Sequence, residues 1–320
     1  MIPQGPSHLE GDAPALPVVG LLYAGEMGCA LAALLLARGH RVVTTVAGRS
    51  AATAARCREH GIEVLASLAD VTRAGDIVLS LVPPAAAVQV AEDYLATAHL
   101  APPRTLFVDA NSIGPDTAKT IAADVTAHGI GFVDAAINGL AVNAARSGTL
   151  FISGPRAAEV ASLFDGAMRT QVLGDQIGQA SAMKMLLAGV SKGVCALLAE
   201  LLLLADAQGM ADAFAQALNR IYPGIGELVE RMLPTYAHHA SRRATEMREL
   251  EQTIEHAGLE PCVIAAVRRL HDLLAAETYP AHTAIDVGRF IQHLSNEAFL
   301  AALETHSLLE ASPPRSLYGQ

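Results

Sequence analysis

Lysine is scarce in this chain. Nineteen arginines stand beside only three lysines, Lys119, Lys184 and Lys192. Where a charge only has to be solvated the sequence uses arginine, whose guanidinium holds its proton near neutral pH, whereas a lysine can release it. Lys184 and Lys192 lie eight positions apart in one apolar, helix-like stretch. Desolvation in a cleft pushes a lysine toward its neutral form and brings its pKa nearer the working pH, which suits general acid/base chemistry. A snorkelling lysine, its stem laid over apolar surface, is the competing reading. Asparagine is also rare: two of the five, Asn111 and Asn138, follow strand-like runs. Asn138 and Gly139 offer an amide and a backbone N–H that could hold a carboxylate or hydroxyl, although Asn-Gly is also a common turn pair.

A further constellation lies nearer the start, in "GLLYAGEMGCALAALLLARGH", residues 20–40. An apolar run leads through Tyr23, Ala24, Gly25, Glu26, Met27 and Gly28 into a helix-like stretch. Glycines between a strand and a helix let the backbone approach a pyrophosphate, with the helix N-terminus facing its charge. The G-x-G-x-x-G fingerprint would place a glycine at position 23, where this chain has Tyr. The backbone contacts are therefore expected from Gly25 to Gly28, with Tyr23 packed aside or flanking the cofactor. A plain tight turn is the alternative. NAD sites usually place an acid about 20 residues after the glycines, on the ribose 2′-hydroxyl. Here the region reads Thr44-Thr45-Val46-Ala47-Gly48-Arg49-Ser50. Arg49 and Ser50 suit a 2′-phosphate, so NADP(H) is favoured over NAD(H), the competing reading being a solvated surface arginine. Val82 and Pro83, ending another apolar run, are expected to line the cofactor groove, and Asn111 to contact ribose or nicotinamide.

These residues need a frame. Apolar or β-branched runs at 17–22, 41–46, 62–67, 76–84, 105–112 and 129–139 read as strands, with 148–155 as the last. Helix-like stretches separate them, as at 27–38 and 50–61. Strands alternating with helices imply an α/β, Rossmann-type domain with a mostly parallel sheet, its active groups at the carboxyl ends of the strands. From about Ile177 the texture becomes all-helical. Residues 178–209 read as one helix, roughly 45 Å long at 1.5 Å per residue, followed by segments near 212–221, 224–233, 238–257, 261–276 and 283–306. The expected organisation is a loose leader (1–16), a dinucleotide-binding domain (17–177), an all-α domain (178–311) and a tail (312–320).

Composition narrows the class. The chain has 320 residues, is 52% apolar and carries a net charge of −10, which fits a globular protein and argues against a nucleic-acid surface. Cys29, Cys57, Cys195 and Cys262 show no paired spacing, so a cytoplasmic, reducing setting without zinc is expected. No metal is expected at His238-His239, because adjacent residues point to different sides of a helix. "GVCALLAELLLLADA", 193–207, is broken by Glu200 and reads as a buried helix rather than a membrane span.

Four motifs in one order complete the reading: Tyr23 to Gly28; Asp109-Ala110-Asn111-Ser112-Ile113-Gly114-Pro115; Asp134 to Leu140 with Gly148-Thr149-Leu150; and Gly178-Gln179-Ala180-Ser181-Ala182-Met183-Lys184-Met185-Leu186-Leu187-Ala188. From about residue 17 to 300 the chain resembles the β-hydroxyacid dehydrogenases, the group of 6-phosphogluconate and 3-hydroxyisobutyrate dehydrogenases. It looks closest to a branch whose C-terminal domain is of unknown function. The resemblance implies an NADP(H)-dependent oxidoreductase that interconverts a hydroxyl and a carbonyl on a small, acidic substrate, with Lys184 as general acid/base. Two positions depart from the pattern: Asn138 replaces the serine that usually binds the substrate carboxylate, and Ala188 replaces a substrate-site asparagine one turn after the lysine. With Gly139, these positions form the expected substrate set, and Lys192, a further turn along, is the candidate to replace the missing polar partner. "RRATEM", 242–247, also resembles that branch; Arg242, Arg243 and Glu246 read as a salt-bridged helix face. A homodimer through the helical domain is expected, both from the resemblance and from the apolar surface of its helices. Two rivals remain: an imine reductase on the same scaffold, whose members usually replace the lysine, and a non-catalytic NADP(H)-binding sensor or scaffold.

Overall fold

The computed structural model describes residues 15–232, 235–236 and 238–276. Most of the expected leader, the expected helix at 283–306 and the tail lie outside these residues.

Eight strands form one sheet: β1 (Val19–Leu22), β2 (Val42–Thr45), β3 (Glu63–Leu65), β4 (Ile77–Ser80), β5 (Leu106–Asp109), β6 (Gly131–Asn138), β7 (Thr149–Ser153) and β8 (Arg169–Gly174). Their spatial order is β3-β2-β1-β4-β5-β6-β7-β8. Every neighbouring pair is parallel except β6–β7. The order reverses between β1 and β4, so their carboxyl ends flank a topological switch point, where ligands of open α/β sheets bind.

The central strands lack polar alternation because both faces are covered. Leu106 and Val108 of β5 enter one core, with Leu31 and Leu35 of the helix Glu26–Ala37. Phe107 between them enters the other, with Tyr94, Ile121 and Val125. The expectation that 148–155 is the last strand is corrected by β8. As the edge strand its residues are exposed or half-buried, so Arg-Thr-Gln-Val-Leu-Gly shows no apolar run. β7 is antiparallel to β6 because the two are joined by a short connection, residues 139–148, rather than by a crossover helix.

The described chain divides into two compact units between Lys184 and Met185, within the helix Gln179–Ala207. The second unit also contains helices Ala211–Ile221, Pro223–Met232, Ala240–His256 and Cys262–Ala276. Its core gathers Cys195, Leu198, Leu202, Val229, Tyr236 and Leu274. By length and composition the helix Gln179–Ala207 could cross a membrane, with a mean hydropathy of 1.9 over its most apolar window, of which 33% is buried. The expectation of a buried helix therefore holds for one side only. Leu186, Val190, Leu197 and Leu204 form an exposed stripe, each more than half accessible.

Candidate cofactor and catalytic site

The glycine loop opens at the end of β1. The Gly25 N–H donates to the Tyr23 carbonyl (2.9 Å), and Gly25 caps the helix Glu26–Ala37. The two glycines do different work. A Cβ on Gly28 would lie 3.1 Å from the Tyr23 carbonyl, so Gly28 lets the helix pack against the loop. A Cβ on Gly25 would meet nothing within 4 Å. No neighbour requires a glycine there, and its bare backbone leaves an open approach to the first N–H groups of the helix, which fits a pyrophosphate. Glu26, in the first turn, offsets part of the positive helix end.

Tyr23 packs aside from this opening. It lies against the core that contains Leu22, Val43 and Val71, and the Arg49 guanidinium sits 3.8 Å over its ring. Arg49 occupies the turn after β2, with Gly48 at φ +70° and its own N–H bonded to the Val46 carbonyl (2.9 Å). The Ser50 side chain caps the next helix, Ala51–Glu59, by accepting from the Thr53 N–H (3.3 Å). A guanidinium beside a helix N-terminus is a donor set that fits a phosphate.

At the ends of β4 and β5, Asn111 is 1% exposed and its amide is fully engaged. It donates to Ser80 Oγ (3.1 Å) and Asp109 Oδ2 (2.9 Å), and accepts from the Val82 N–H (2.6 Å). The expected direct cofactor contact is corrected to a brace: Asn111 fixes the backbone at Val82 and Pro83. Burial pushes the Asp109 carboxyl up to about 7, against two Asn111 hydrogen bonds that lower it; the charge of Asp134, its register partner on β6, adds to the rise.

Lys184 lies at the carboxyl end of β6, its Nζ donating to the Ile137 carbonyl (2.6 Å). That carbonyl immediately precedes exposed Asn138. Gly139 has φ +143° and passes so close to Gly148 that a Cβ would lie 2.9 Å from the Gly148 Cα, which keeps the Asn138 turn tight. The start of the helix that carries the lysine is anchored by residues absent from the sequence-based site set. Buried Asp134 accepts from Ser153 Oγ, Gly178 N and Ser181 N at 3.0 Å each and from Ser181 Oγ at 2.6 Å. Ser153 Oγ in turn accepts from the Ala180 N–H (3.0 Å). A carboxylate on the orphan N–H groups of a helix start is strongly stabilising there. The clue in the sequence was an acid inside the apolar strand "GFVDAAIN", since an acidic side chain is almost never fully buried without partners.

The other expected substrate residues lie in the helical unit. Ala188 is buried with Met185, Met247, Leu250 and Val267, an apolar setting that corrects its expected substrate role. Lys192 Nζ is 2.6 Å from Glu246 Oε2, both side chains nearly buried. The expected salt bridge along the helix joins Arg242 to Glu246 at 3.9 Å; the expectation is corrected for Arg243. Arg243 is 4% exposed, lies 4.9 Å over the Tyr236 ring and donates to the Tyr236 carbonyl (2.9 Å). The His238 and His239 rings lie 4.8 Å apart rather than on different sides, because both precede the helix Ala240–His256.

Comparison with known proteins agrees with the fold. Residues 18–166 match the NAD binding domain of 6-phosphogluconate dehydrogenase, and residues 205–274 match a domain of unknown function, DUF1932. The chain is 32% identical to a conserved protein of unknown function whose structure is similar to 3-hydroxyacid dehydrogenases. That alignment covers 81% of this chain and 96% of the other, with a TM-score of 0.66. A mitochondrial 3-hydroxyisobutyrate dehydrogenase of Drosophila melanogaster is 28% identical over 150 residues, 47% of this chain and 44% of that one; this chain thus spans under half of that relative. The 3-hydroxyisobutyrate dehydrogenase of Mycobacterium tuberculosis, at 20% identity, shares the fold with a TM-score of 0.71 over 88% of this chain and all of the other. The chain belongs to the β-hydroxyacid dehydrogenase family of NAD(P)-dependent oxidoreductases, in the branch that carries a DUF1932 domain after the dinucleotide-binding domain.

Proposed function

We propose that the protein is an NADP(H)-dependent dehydrogenase that interconverts a hydroxyl and a carbonyl on a small, acidic substrate, with Lys184 as general acid/base. The observation that carries this reading is the Lys184 ammonium on the Ile137 carbonyl, one residue before Asn138. Gly25 to Gly28 would hold the pyrophosphate, Arg49 with the helix start at Ser50 the 2′-phosphate, and the backbone at Val82 and Pro83 one wall of the groove. When bound, the cofactor supplies or accepts the hydride. In oxidation, neutral Lys184 takes the hydroxyl proton as the carbon–oxygen bond becomes a carbonyl; in reduction its ammonium returns that proton. The Ile137 carbonyl aims the amine and accepts from its charged form. The Asn138 amide and the Gly139 N–H orient the substrate's polar group.

Lys184→Ala should lower kcat about 10²- to 10⁴-fold, the usual range for a lost acid/base, with NADPH affinity nearly unchanged. Near-normal turnover would end the proposal. Assaying hydroxy-acid oxidation beside cyclic-imine reduction separates the dehydrogenase from an imine reductase. NADPH binding with no turnover of either substrate class would favour a sensor or scaffold.

We also propose a cytoplasmic homodimer. The free thiols of Cys29, Cys57, Cys195 and Cys262 support a reducing compartment. The stripe Leu186, Val190, Leu197 and Leu204 on a 29-residue helix supports self-association through the helical domain, because contiguous exposed apolar surface marks interaction sites. A monomer mass by light scattering would refute the dimer.

A further inference from the structure

We propose that Tyr23 is a specificity-determining residue: its ring is the platform that holds the Arg49 guanidinium ready for the cofactor's 2′-phosphate. The proposal rests on the reading above that Arg49 binds this phosphate.

Tyr23 stands where the fingerprint has a glycine, and its carbonyl is tied into the loop. Its carbonyl accepts from the Gly25 N–H and is the atom that Gly28 must clear. Its ring rests against the core and carries the Arg49 guanidinium 3.8 Å over its centre. Arg49 itself is exposed, and among the described residues no salt bridge to a carboxylate is found for it. An exposed arginine without such a partner normally samples many rotamers, and ordering it on a ligand costs entropy.

Stacking removes much of that freedom. A guanidinium lying flat on a ring is covered only on its face, and its in-plane N–H donors, the edge that binds phosphate bidentately, stay open. A leucine or glycine at position 23 would offer no such face. The departure from the fingerprint thus has a use. Gly25 alone leaves the approach to the helix open, so the first glycine position is available for an aromatic residue that serves the next strand's arginine. The gain applies only to a ligand with a group for Arg49 to bind, so Tyr23 discriminates between NADPH and NADH.

The test is calorimetric titration of the full chain with NADPH and with NADH, using wild type, Tyr23→Leu, Tyr23→Phe, Arg49→Ala and the double variant Tyr23→Leu/Arg49→Ala. Arg49→Ala should weaken NADPH about tenfold or more, the range for a lost charged hydrogen bond, and leave NADH alone. Tyr23→Leu should weaken NADPH about two- to fivefold, the range of an exposed cation–π contact, again sparing NADH. Tyr23→Phe, which keeps the ring, should match wild type. Tyr23→Leu should add nothing once Arg49 is gone.

If Arg49→Ala leaves the NADPH-to-NADH ratio unchanged, the reading of Arg49 fails and takes the platform with it. If Arg49→Ala discriminates but Tyr23→Leu does not, or weakens both cofactors equally, only the platform is overturned. Should Tyr23→Leu not fold, Arg49→Lys serves, since it keeps the charge and removes the planar stacking group. Loss of NADPH preference in that variant supports the proposal, and full retention overturns it.

Discussion

Lys184 and Lys192 lie eight residues apart on one helix, yet they have opposite partners. Lys184 donates to a neutral backbone carbonyl. Lys192 faces the carboxylate of nearly buried Glu246. The Ile137 carbonyl holds the Lys184 amine without carrying a formal charge of its own. Lys192 and Glu246 instead form a charge pair in a desolvated place, with Arg242, 60% exposed and 3.9 Å from the same carboxylate, beside them. On the proposed function, two residues of one type in one element do different work: the first serves the substrate's proton, and the second ties two helices together. Scarcity singles out both, and only the partner distinguishes them.

The largest expected effect tests that division directly. Lys184→Ala should lose most of kcat and little stability. Lys192→Met should do the reverse. Breaking a buried pair by removing one partner costs about 3–5 kcal/mol, so its urea midpoint should fall sharply while the folded fraction keeps near-normal kcat. Replacing both partners, as Lys192→Met/Glu246→Leu, should recover most of that stability, because well-packed apolar residues often replace a buried pair without loss. A fall in kcat for Lys192→Met as deep as that for Lys184→Ala would show that Lys192 serves the substrate after all.

A smaller effect should come from the anchor of the helix that carries Lys184. Asp134→Asn keeps one acceptor oxygen but removes the negative charge from the four donors at Ser153, Gly178 and Ser181. Hydrogen bonds to charged groups contribute about 1.5–3 kcal/mol, and a loss of that order is expected in denaturant unfolding. If the anchor also positions Lys184, kcat should fall about tenfold with NADPH affinity intact, since small misplacements of a reacting group cost rate. Lower stability with unchanged kcat would make Asp134 a purely structural cap.

These residues also mark how far the sequence carries. The central strands were legible because a strand covered on both faces is apolar throughout, and their ends placed Asn138 and the glycine loop correctly. β8 was not, because an edge strand needs no such run. Arg243 and Glu246 are three positions apart, the spacing of a solvated helical face. Nothing local separates that from a buried arrangement; the Tyr236 ring and carbonyl come from a preceding turn, and Lys192 from another helix. Asn111 was legible as a strand-end polar residue but not as a brace, since its partners Ser80 and Val82 are about thirty residues back. Residue type and spacing thus gave the candidates, whereas role depended on contacts distant in sequence.

The last effect is read as a slope with pH rather than as a level, and it concerns a buried acid of the sheet. Asp109 is raised to about 7 from its ordinary 3.8, chiefly by burial. The folded state therefore keeps this proton over a range where the unfolded chain has lost it. Stability depends on pH as the difference in protons bound, unfolded minus folded. Between about pH 4 and 7 that difference is negative for Asp109, so its contribution falls as pH rises and is level above about 7. Asp109→Asn should remove this slope. The slope is the readout rather than the level of stability, because both carboxyl oxygens accept from Asn111. A protonated carboxyl can still accept at both, whereas a carboxamide presents N–H groups to one of these donors and loses a hydrogen bond of about 1 kcal/mol. Urea midpoints at pH 5, 6, 7 and 8 for wild type and variant decide the matter. Parallel pH profiles would mean that Asp109 is ionised in the folded protein across this range, and that its buried charge is held by more than Asn111.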